Sequence, residues 1–453
     1  MIKLKNKRVL VVGLGKSGLA AAHFLKEQGA LVTVSDSRSA SALSAELPAL
    51  LEAGIAVETG GHGVLTFRRQ DLLVVSPGVP LDTEEIAYAM AAGVPVIGEV
   101  ELASYFLKGQ IIAITGSNGK TTTTSLIGHI LKTAGLPTLV GGNIGTPVLN
   151  LRRVSTHKHW VVLEVSSFQL ETVTHFHPKI AVVLNITPDH LDRHGTFEAY
   201  AAAKYRITIA QDASDFLVLN AEDVPTQLTA SHTKAGIYWF SPSRQIKQGA
   251  FVHGDGIYFK QKEGHRPEPI MPISEIPLKG AHNIENVLAA ITAARLAGVP
   301  KEQVRAGVAS FKAVEHRLEF VRKVNGVDYY NDSKATNVDA TVKALESFPK
   351  GIHLILGGKD KDSDYRTLVP LLKDRAVAVY TIGSAAEKIE SHLNKVVNIV
   401  SAGTLENALA QAKEAAQPGE VVLLAPACAS FDQFQSYEHR GRVFKETVNG
   451  WAE

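Results

Sequence analysis

Short, continuous runs of Val, Ile and Leu recur along this chain, and they constrain its fold more than any other feature. They read "RVLVVG", "DLLVVSPG", "IIAITG", "WVVLEVS", "IAVVLNI", "IHLILGG", "AVAVYTIG" and "EVVLLAP". A strand with one wet face alternates apolar and polar residues; a strand buried on both faces does not. The runs therefore predict parallel sheets covered on both sides. Parallel neighbours need crossovers, and stretches such as "KSGLAAAHFLKEQG" and "TTTTSLIGHILKTAG" supply them as helices. Each closes on Gly, a common helix stop. Strand and helix in alternation predict doubly wound α/β domains.

At 453 residues the chain exceeds one ordinary domain of roughly 100–200 residues. Three blocks are expected, 1–98, 99–313 and 314–453, the last beginning near "EHRLEFV". Within the second, Ser241–Pro277 is richer in Gly, Pro and polar residues. Its "AFVHGDGIYFK" predicts a hairpin about Gly254-Asp255-Gly256.

Lys+Arg is 47 against Asp+Glu 45, which leaves no basic field for nucleic acid and no polybasic membrane patch. The start "MIKLKNKRVLVVGLGKSGLAAAHFL" has the basic, apolar and small-residue order of a signal peptide. Its apolar run, Val9–Val12, meets glycines too soon, so a buried strand entering a glycine turn is the better reading. No run approaches the ~20 apolar residues of a membrane span. The single cysteine, Cys428, excludes an intramolecular disulfide and fits a reducing compartment. A cytoplasmic protein is expected, without membrane insertion and monomeric.

Two glycine loops carry the chemistry. Gly13-Leu14-Gly15-Lys16-Ser17-Gly18 follows a strand and opens a helix, and Asp36 ends the next strand, "LVTVSD". This is the dinucleotide pattern: glycines for the turn, a helix N-terminus for phosphate, a carboxylate for ribose hydroxyls. It specifies a diphosphate and a sugar. NAD is the obvious occupant on this evidence alone, and the bland alternative is a close helix–strand crossing. The second loop, Thr115-Gly116-Ser117-Asn118-Gly119-Lys120-Thr121-Thr122, is sharper. Small residues between strand and helix turn backbone N–H groups toward phosphate. Lys120 would reach the β/γ-phosphates and Thr121 the Mg²⁺ of a bound ATP. Ile114 stands where the first glycine of the common GxxxxGK[ST] loop would be.

The variant loop "TGSNGKTT" resembles that of the Mur ligases and the related folylpolyglutamate synthases. Further motifs follow in order over nearly the whole chain: "GGNIGTP", "LEVSSFQLE", "LNITPDHLDRH", "AYAAAKYRI", "KGAHNIENVLAA", "EHRLEFV", "NDSKATN", "LGGKDKDSDY" and "PACASFDQFQSYEHRG". The last three are similar to the branch that joins D-glutamate to UDP-N-acetylmuramoyl-L-alanine. A folylpolyglutamate synthase is the nearest rival, but would not be expected to carry the N-terminal block. The resemblance implies an α/β protein of three domains: a Rossmann-like N-terminal domain, a central P-loop ATPase-like doubly wound sheet, and a Rossmann-like C-terminal domain. It reassigns the first loop to UDP rather than NAD.

The resemblance also implies roles. Lys120, Glu164, His190 and Lys204 would be catalytic. Gly116, Ser117, Asn118, Gly119, Lys120, Thr121 and Thr122, with Asn286, Arg317 and Asp332, would hold ATP. Ser17, Asp36, Ser37, Gly78, Asn143 and His190 would contact the UDP substrate. Thr336, Lys361, Ser430, Phe431 and Tyr437 would form the D-glutamate pocket. Thr121, Glu164, His190 and a carbamylated Lys204 would serve two Mg²⁺ ions. By pattern alone, Lys204 in "AYAAAKYRI" reads as one lysine on a solvated helix face, and His190 as a loop histidine. His157, His159, His175 and His177 read as surface residues, and Cys428 as small packing. Two other classes remain: an NAD oxidoreductase, which leaves Lys120 unexplained, and a non-catalytic nucleotide-binding module, which has no need of Glu164, His190 and Lys204.

Overall fold

A computed structural model describes residues 2–278, 280–312 and 315–451. Lys279, which opens the "KGAHNIENVLAA" motif, and the boundary expected near 313 lie outside them. Among the described residues the strands form three sheets. The first contains β1 (Arg8–Val12), β2 (Leu31–Asp36), β3 (Ala56–Thr59), β4 (Leu72–Val75) and β5 (Val96–Gly98) in the order β3-β2-β1-β4-β5, all parallel.

The second sheet holds β6 (Gln110–Thr115), β7 (Thr138–Gly142), β8 (Trp160–Glu164), β9 (Ile180–Val183) and β10 (Phe216–Asn220). It continues with β11 (Gly236–Ser241), β12 (Gly249–His253), β13 (Gly256–Lys260) and β14 (Glu268–Pro272). The order is β14-β13-β12-β11-β10-β9-β6-β8-β7. Strands β12 and β13 form the hairpin about Gly254-Asp255-Gly256, antiparallel as its sequence predicts. The third sheet has β15 (Glu319–Val324), β16 (Val327–Asn331), β17 (Ile352–Gly357), β18 (Ala376–Ile382), β19 (Asn398–Gly403) and β20 (Val421–Leu424). Its order is β15-β16-β20-β17-β18-β19, with β15 antiparallel.

All eight apolar runs lie in strands, and β1, β4, β8, β9, β17 and β20 are buried along nearly their whole length. Each glycine loop leaves a strand where the order reverses: β1 between β2 and β4, and β6 between β8 and β9. Open α/β sheets bind ligands at such switch points. Helix α1 (Lys16–Glu27) follows the first loop and α2 (Lys120–Thr133) the second. Gly18 lets α1 cross close to the sheet, since a Cβ there would lie 1.9 Å from the Gly13 carbonyl oxygen.

The chain divides into two compact units. One comprises Met1–Ile186, Glu198–Met271 and Val287–Val308, and so carries the first two sheets; the other comprises Thr187–Phe197, Pro272–Asn286 and Ala309–Glu453. Within the first unit the two sheets are joined by an exposed ion pair and a buried carboxylate. Arg152 lies 4.4 Å over the Phe24 ring and pairs with Glu27 at 2.7 Å. The buried Glu101 carboxylate accepts from the Thr174, His175 and Phe176 backbone N–H groups and from the Thr174 and Tyr105 hydroxyls. No helix among the described residues is long and apolar enough to cross a membrane.

Glu99 sits at the same junction with a different balance. Its Oε1 accepts from Leu149 N at 2.7 Å, but its buried Oε2 has no hydrogen-bond partner among the described residues. Burial lifts the carboxyl from 4.5 to about 7, against the pull of the Leu149 and Val148 N–H groups. The folded state therefore holds a proton that the unfolded chain has released, so stability falls as pH rises between those two values. Glu99→Gln should be more stable than wild type at pH 8 by up to about 3 kcal/mol, read as a higher unfolding temperature. The gap should close toward pH 5. Calorimetric melts of both proteins across that range check this, and a gap independent of pH would contradict it.

Candidate functional site

The end of β6 builds one centre. Glu164 is the last residue of β8, in register with Ile114 of β6 and Gly142 of β7. It is 1% exposed. Its Oε2 accepts from the Thr121 hydroxyl at 2.7 Å, and its Oε1 from Asn143 Nδ2 at 3.0 Å. The Asn143 backbone N–H also donates to the Glu164 carbonyl. Three oxygen-bearing side chains thus converge at the N-terminus of α2, where backbone N–H groups and the helix dipole favour anions.

The loop itself is fixed from below. Ser117 N donates to Asn185 O at 2.8 Å, and Asn118 N to Asn185 Oδ1 at 2.8 Å. Gly116 has φ +151°, and a Cβ there would come within 3.0 Å of Leu184 Cβ. Lys120 folds over the loop, donating from Nζ to the Gly116 and Ser117 carbonyls, each at 2.8 Å.

Lys204 is not on a solvated face. Helix α3 (Phe197–Tyr205) buries it to 1% exposure, and its Nζ donates to Gly116 O at 2.9 Å. The Tyr200 ring, one turn earlier on α3, lies 4.5 Å away, and the Tyr200 hydroxyl is 2.9 Å from Ser117 Oγ. A buried ammonium is costly to desolvate, so its place beside the phosphate loop needs a chemical reason. The donors around Glu164 suit Mg²⁺, which prefers oxygen.

The first loop lines a separate cleft of about 430 Å³. Ser17, Asp36, Ser37 and Gly78 lie in its wall, together with Leu14, Lys16, Arg38, His62 and Ser76. Asp36 is fully engaged. Its Oδ2 accepts from Leu14 N at 2.7 Å and Arg38 Nη2 at 3.0 Å, and its Oδ1 from Arg38 N at 2.9 Å and Nε at 3.0 Å. Burial alone would raise its carboxyl, but these bonds hold it below the usual range. All four acceptor positions are filled, so the carboxylate braces the loop and Arg38. Asn143 is not in this wall; the structure places it on Glu164.

The second unit contains the remaining residues. His190 adopts a left-handed backbone, φ +54°, at the start of the short helix Leu191–His194, and its N–H donates to Asp189 Oδ1 at 3.0 Å. His190, Asp189 and Lys361 line a cleft of about 480 Å³ with Thr187, Asn337 and Asp339. Lys361 Nζ lies 3.3 Å from Asp189 Oδ1, both largely buried. Thr336, Ser430, Phe431 and Tyr437 are outside that wall. Ser430 is buried, whereas Phe431 is 69% exposed. Tyr437 receives Lys334 at 3.1 Å on its hydroxyl.

Asp332 is buried, and burial pushes its carboxyl up to about 6, opposed by Arg317 and a Leu318 N–H. Arg317 Nε is buried with no hydrogen-bond partner among the described residues. Asn286 donates to Asn283 Oδ1 at 3.0 Å.

Comparison with known proteins decides the family. Models for the Mur ligase MurD-like N-terminal domain, the Mur ligase middle domain and the Mur ligase glutamate ligase domain match residues 7–98, 114–294 and 316–428. A protein of Acidobacterium capsulatum named UDP-N-acetylmuramoylalanine–D-glutamate ligase is 65% identical over 99% of this chain and 97% of its own. One of the same name from Koribacter versatilis is 61% identical over 99% of each. This chain belongs to the Mur ligase family. The solved UDP-N-acetylmuramate-alanine ligase MurC of Thermotoga maritima superposes with a TM-score of 0.60 over 98% of this chain and 99% of that one. At 20% identity that likeness is one of fold. As a Mur ligase, the chain is an ATP-dependent, amide-bond-forming enzyme of a family that uses Mg²⁺.

In this Mur ligase, several supporting residues escaped the sequence reading. Tyr200 precedes Lys204 by four positions on one helix, a spacing that signals contact. Asn185 and Arg38 lie in or beside quoted motifs without a type that marks them. Arg440, from α4 (Tyr437–Asn449), is 1% exposed. It donates to Ser333 Oγ and O, Cys428 O and Ala429 O. It thereby ties the "NDSKATN" loop to the "PACASFDQF" loop. Arg440→Ala would take this donor from the buried Ser333 and Cys428 carbonyls, whereas Ala429 O keeps the Lys359 N–H. The second unit should lose about 2–4 kcal/mol, read as a lower unfolding temperature. A melt matching wild type would contradict the tie.

Proposed function

We propose that this chain joins D-glutamate to UDP-N-acetylmuramoyl-L-alanine in peptidoglycan precursor synthesis, at the expense of ATP. The observation that carries this reading is the Thr121–Glu164 pair beside a phosphate loop, in a chain that keeps a second nucleotide-type cleft on another sheet. Two nucleotides are then needed: ATP at the second loop and the substrate's UDP at the first. The names of the full-length relatives supply the amino acid. Residues 1–98 would serve UDP, 99–313 ATP, and 314–453 D-glutamate.

A carboxylate acylates poorly because its leaving group would be oxide. Its oxygen instead attacks the γ-phosphorus of ATP, the bond to the β-bridging oxygen breaks, and ADP leaves. The neutral amine of D-glutamate then attacks the acyl carbon of the resulting acyl phosphate. The nitrogen loses a proton, the carbon–oxygen bond breaks, and phosphate departs. Negative charge builds in both steps, so cations must be placed beforehand.

Lys120 would leave the loop carbonyls for the β/γ-phosphates. Thr121, Glu164, His190 and Lys204 would hold two Mg²⁺ ions, which supply charge neutralisation on the phosphate oxygens. Lys204 would serve as a carbamate: its neutral amine adds CO₂ and releases a proton, turning a cation into an oxygen ligand. Gly116–Gly119 and Thr122 would cradle the triphosphate, with Asn286, Arg317 and Asp332 as further nucleotide contacts. Ser17, Asp36, Ser37, Gly78, Asn143 and His190 would serve the UDP substrate. Lys361, Thr336, Ser430, Phe431 and Tyr437 would receive D-glutamate, Lys361 leaving Asp189 for a substrate carboxylate. NAD has no part in this scheme. A cytoplasmic monomer suits it.

Phosphate release with UDP-N-acetylmuramoyl-L-alanine and ATP, each amino acid added in turn, tests the reading. Release should depend on D-glutamate. Release driven instead by another amino acid would overturn the assignment. Lys361→Ala should weaken use of D-glutamate by ~2–5 kcal/mol and leave the KM for ATP within about twofold. Unchanged D-glutamate constants would remove Lys361 from the pocket.

A further inference from the structure

His62, at the rim of the first cleft, belongs to no motif described above. It follows β3, the outermost strand of the first sheet, and lines the cleft beside Arg38 and Lys16. Its Nδ1 lies 2.7 Å from the Ser35 hydroxyl, and that hydroxyl lies 3.2 Å from Glu58 Oε2. Ser35 is completely buried in β2. Glu58 is itself held by the Thr66 hydroxyl at 3.1 Å and the Gly63 N–H at 3.4 Å. The Phe67 ring meets the imidazole edge to face at 5.5 Å.

Proton counting fixes the tautomer. A hydroxyl has one proton to give, and a carboxylate only accepts. Ser35 therefore donates to Glu58, and His62 Nδ1–H must donate to Ser35 Oγ. In the neutral imidazole the remaining nitrogen, Nε2, is then an acceptor. Position says what it would meet. The glycine loop that receives phosphate leaves β1, two strands away, or ~10 Å at the usual strand spacing. The nucleoside of a nucleotide anchored there runs outward past β2 toward the rim that His62 lines.

We infer that His62, locked by Ser35 and Glu58, offers Nε2 as a hydrogen-bond acceptor to the nucleoside end of the UDP substrate. This rests on the reading of the first cleft as a UDP site. The donor would be a ribose hydroxyl or the uracil N3–H, both of the same donor chemistry.

Calorimetry of the full chain with UDP tests the inference. His62→Ala should bind UDP roughly five- to tenfold more weakly, one neutral hydrogen bond. Ser35→Ala should also weaken binding, yet cost nothing further in the His62→Ala background, because it acts only through the imidazole. Affinity for a non-hydrolysable ATP analogue should stay constant in all variants. On wild type, either 2′-deoxy-UDP or 3-methyl-UDP should show the same loss as His62→Ala, and that loss should vanish in the variant. Equal UDP binding by wild type and His62→Ala would overturn the role while leaving the UDP reading intact. So would full additivity with Ser35→Ala, or wild-type affinity for both analogues. If wild type bound no UDP, the cleft assignment itself would fall.

Discussion

The N-terminus of α2 and the turn after β7 are held together by one buried carboxylate. Glu164 ends a strand flanked by the phosphate-loop strand on one side and by β7 on the other. Burying an uncompensated charge is prohibitive, so its oxygens must be paired, and Thr121 and Asn143 supply the pairs from those two neighbours. The same carboxylate thereby sets the entry of α2 and the turn after β7. A slip of one residue in the β6–β8 register would point Glu164 to the opposite face of the sheet. The continuous apolar runs, which lock the register by burial, thus also fix where Glu164 lies.

The runs were legible because strands buried on both faces carry no polar residues to confuse them. Strands with lower burial were less so. The edge strands β3, β7 and β19 are only partly buried and read "AVET", "TLVGG" and "NIVSAG". Without two covered faces they need not be apolar, and their sequences blur into the loops around them. The glycine loops were legible because they must contain particular small residues in a fixed order.

Residues that act at long range were legible only through the family resemblance, not from their local pattern. Lys204 lies 88 positions from the carbonyl it meets, and nothing local in "AYAAAKYRI" distinguishes a buried lysine from a wet one. Asp36 shows the converse: its spacing from the glycines promised a free carboxylate, yet Arg38, two positions on, takes most of it. The loop Thr187–Phe197 interrupts the first compact unit and groups with the second, so His190 and Lys204, close in sequence, belong to different units.

The central claim is that Glu164 organises the metal-dependent nucleotide site and leaves the UDP cleft untouched. Titration of a non-hydrolysable ATP analogue into wild type and Glu164→Gln, with and without Mg²⁺, tests it most directly. Wild type should bind more tightly with Mg²⁺; the near-isosteric variant should lose most of that increment, roughly tenfold or more, while its UDP affinity stays the same. An equal Mg²⁺ effect in both proteins would contradict the account.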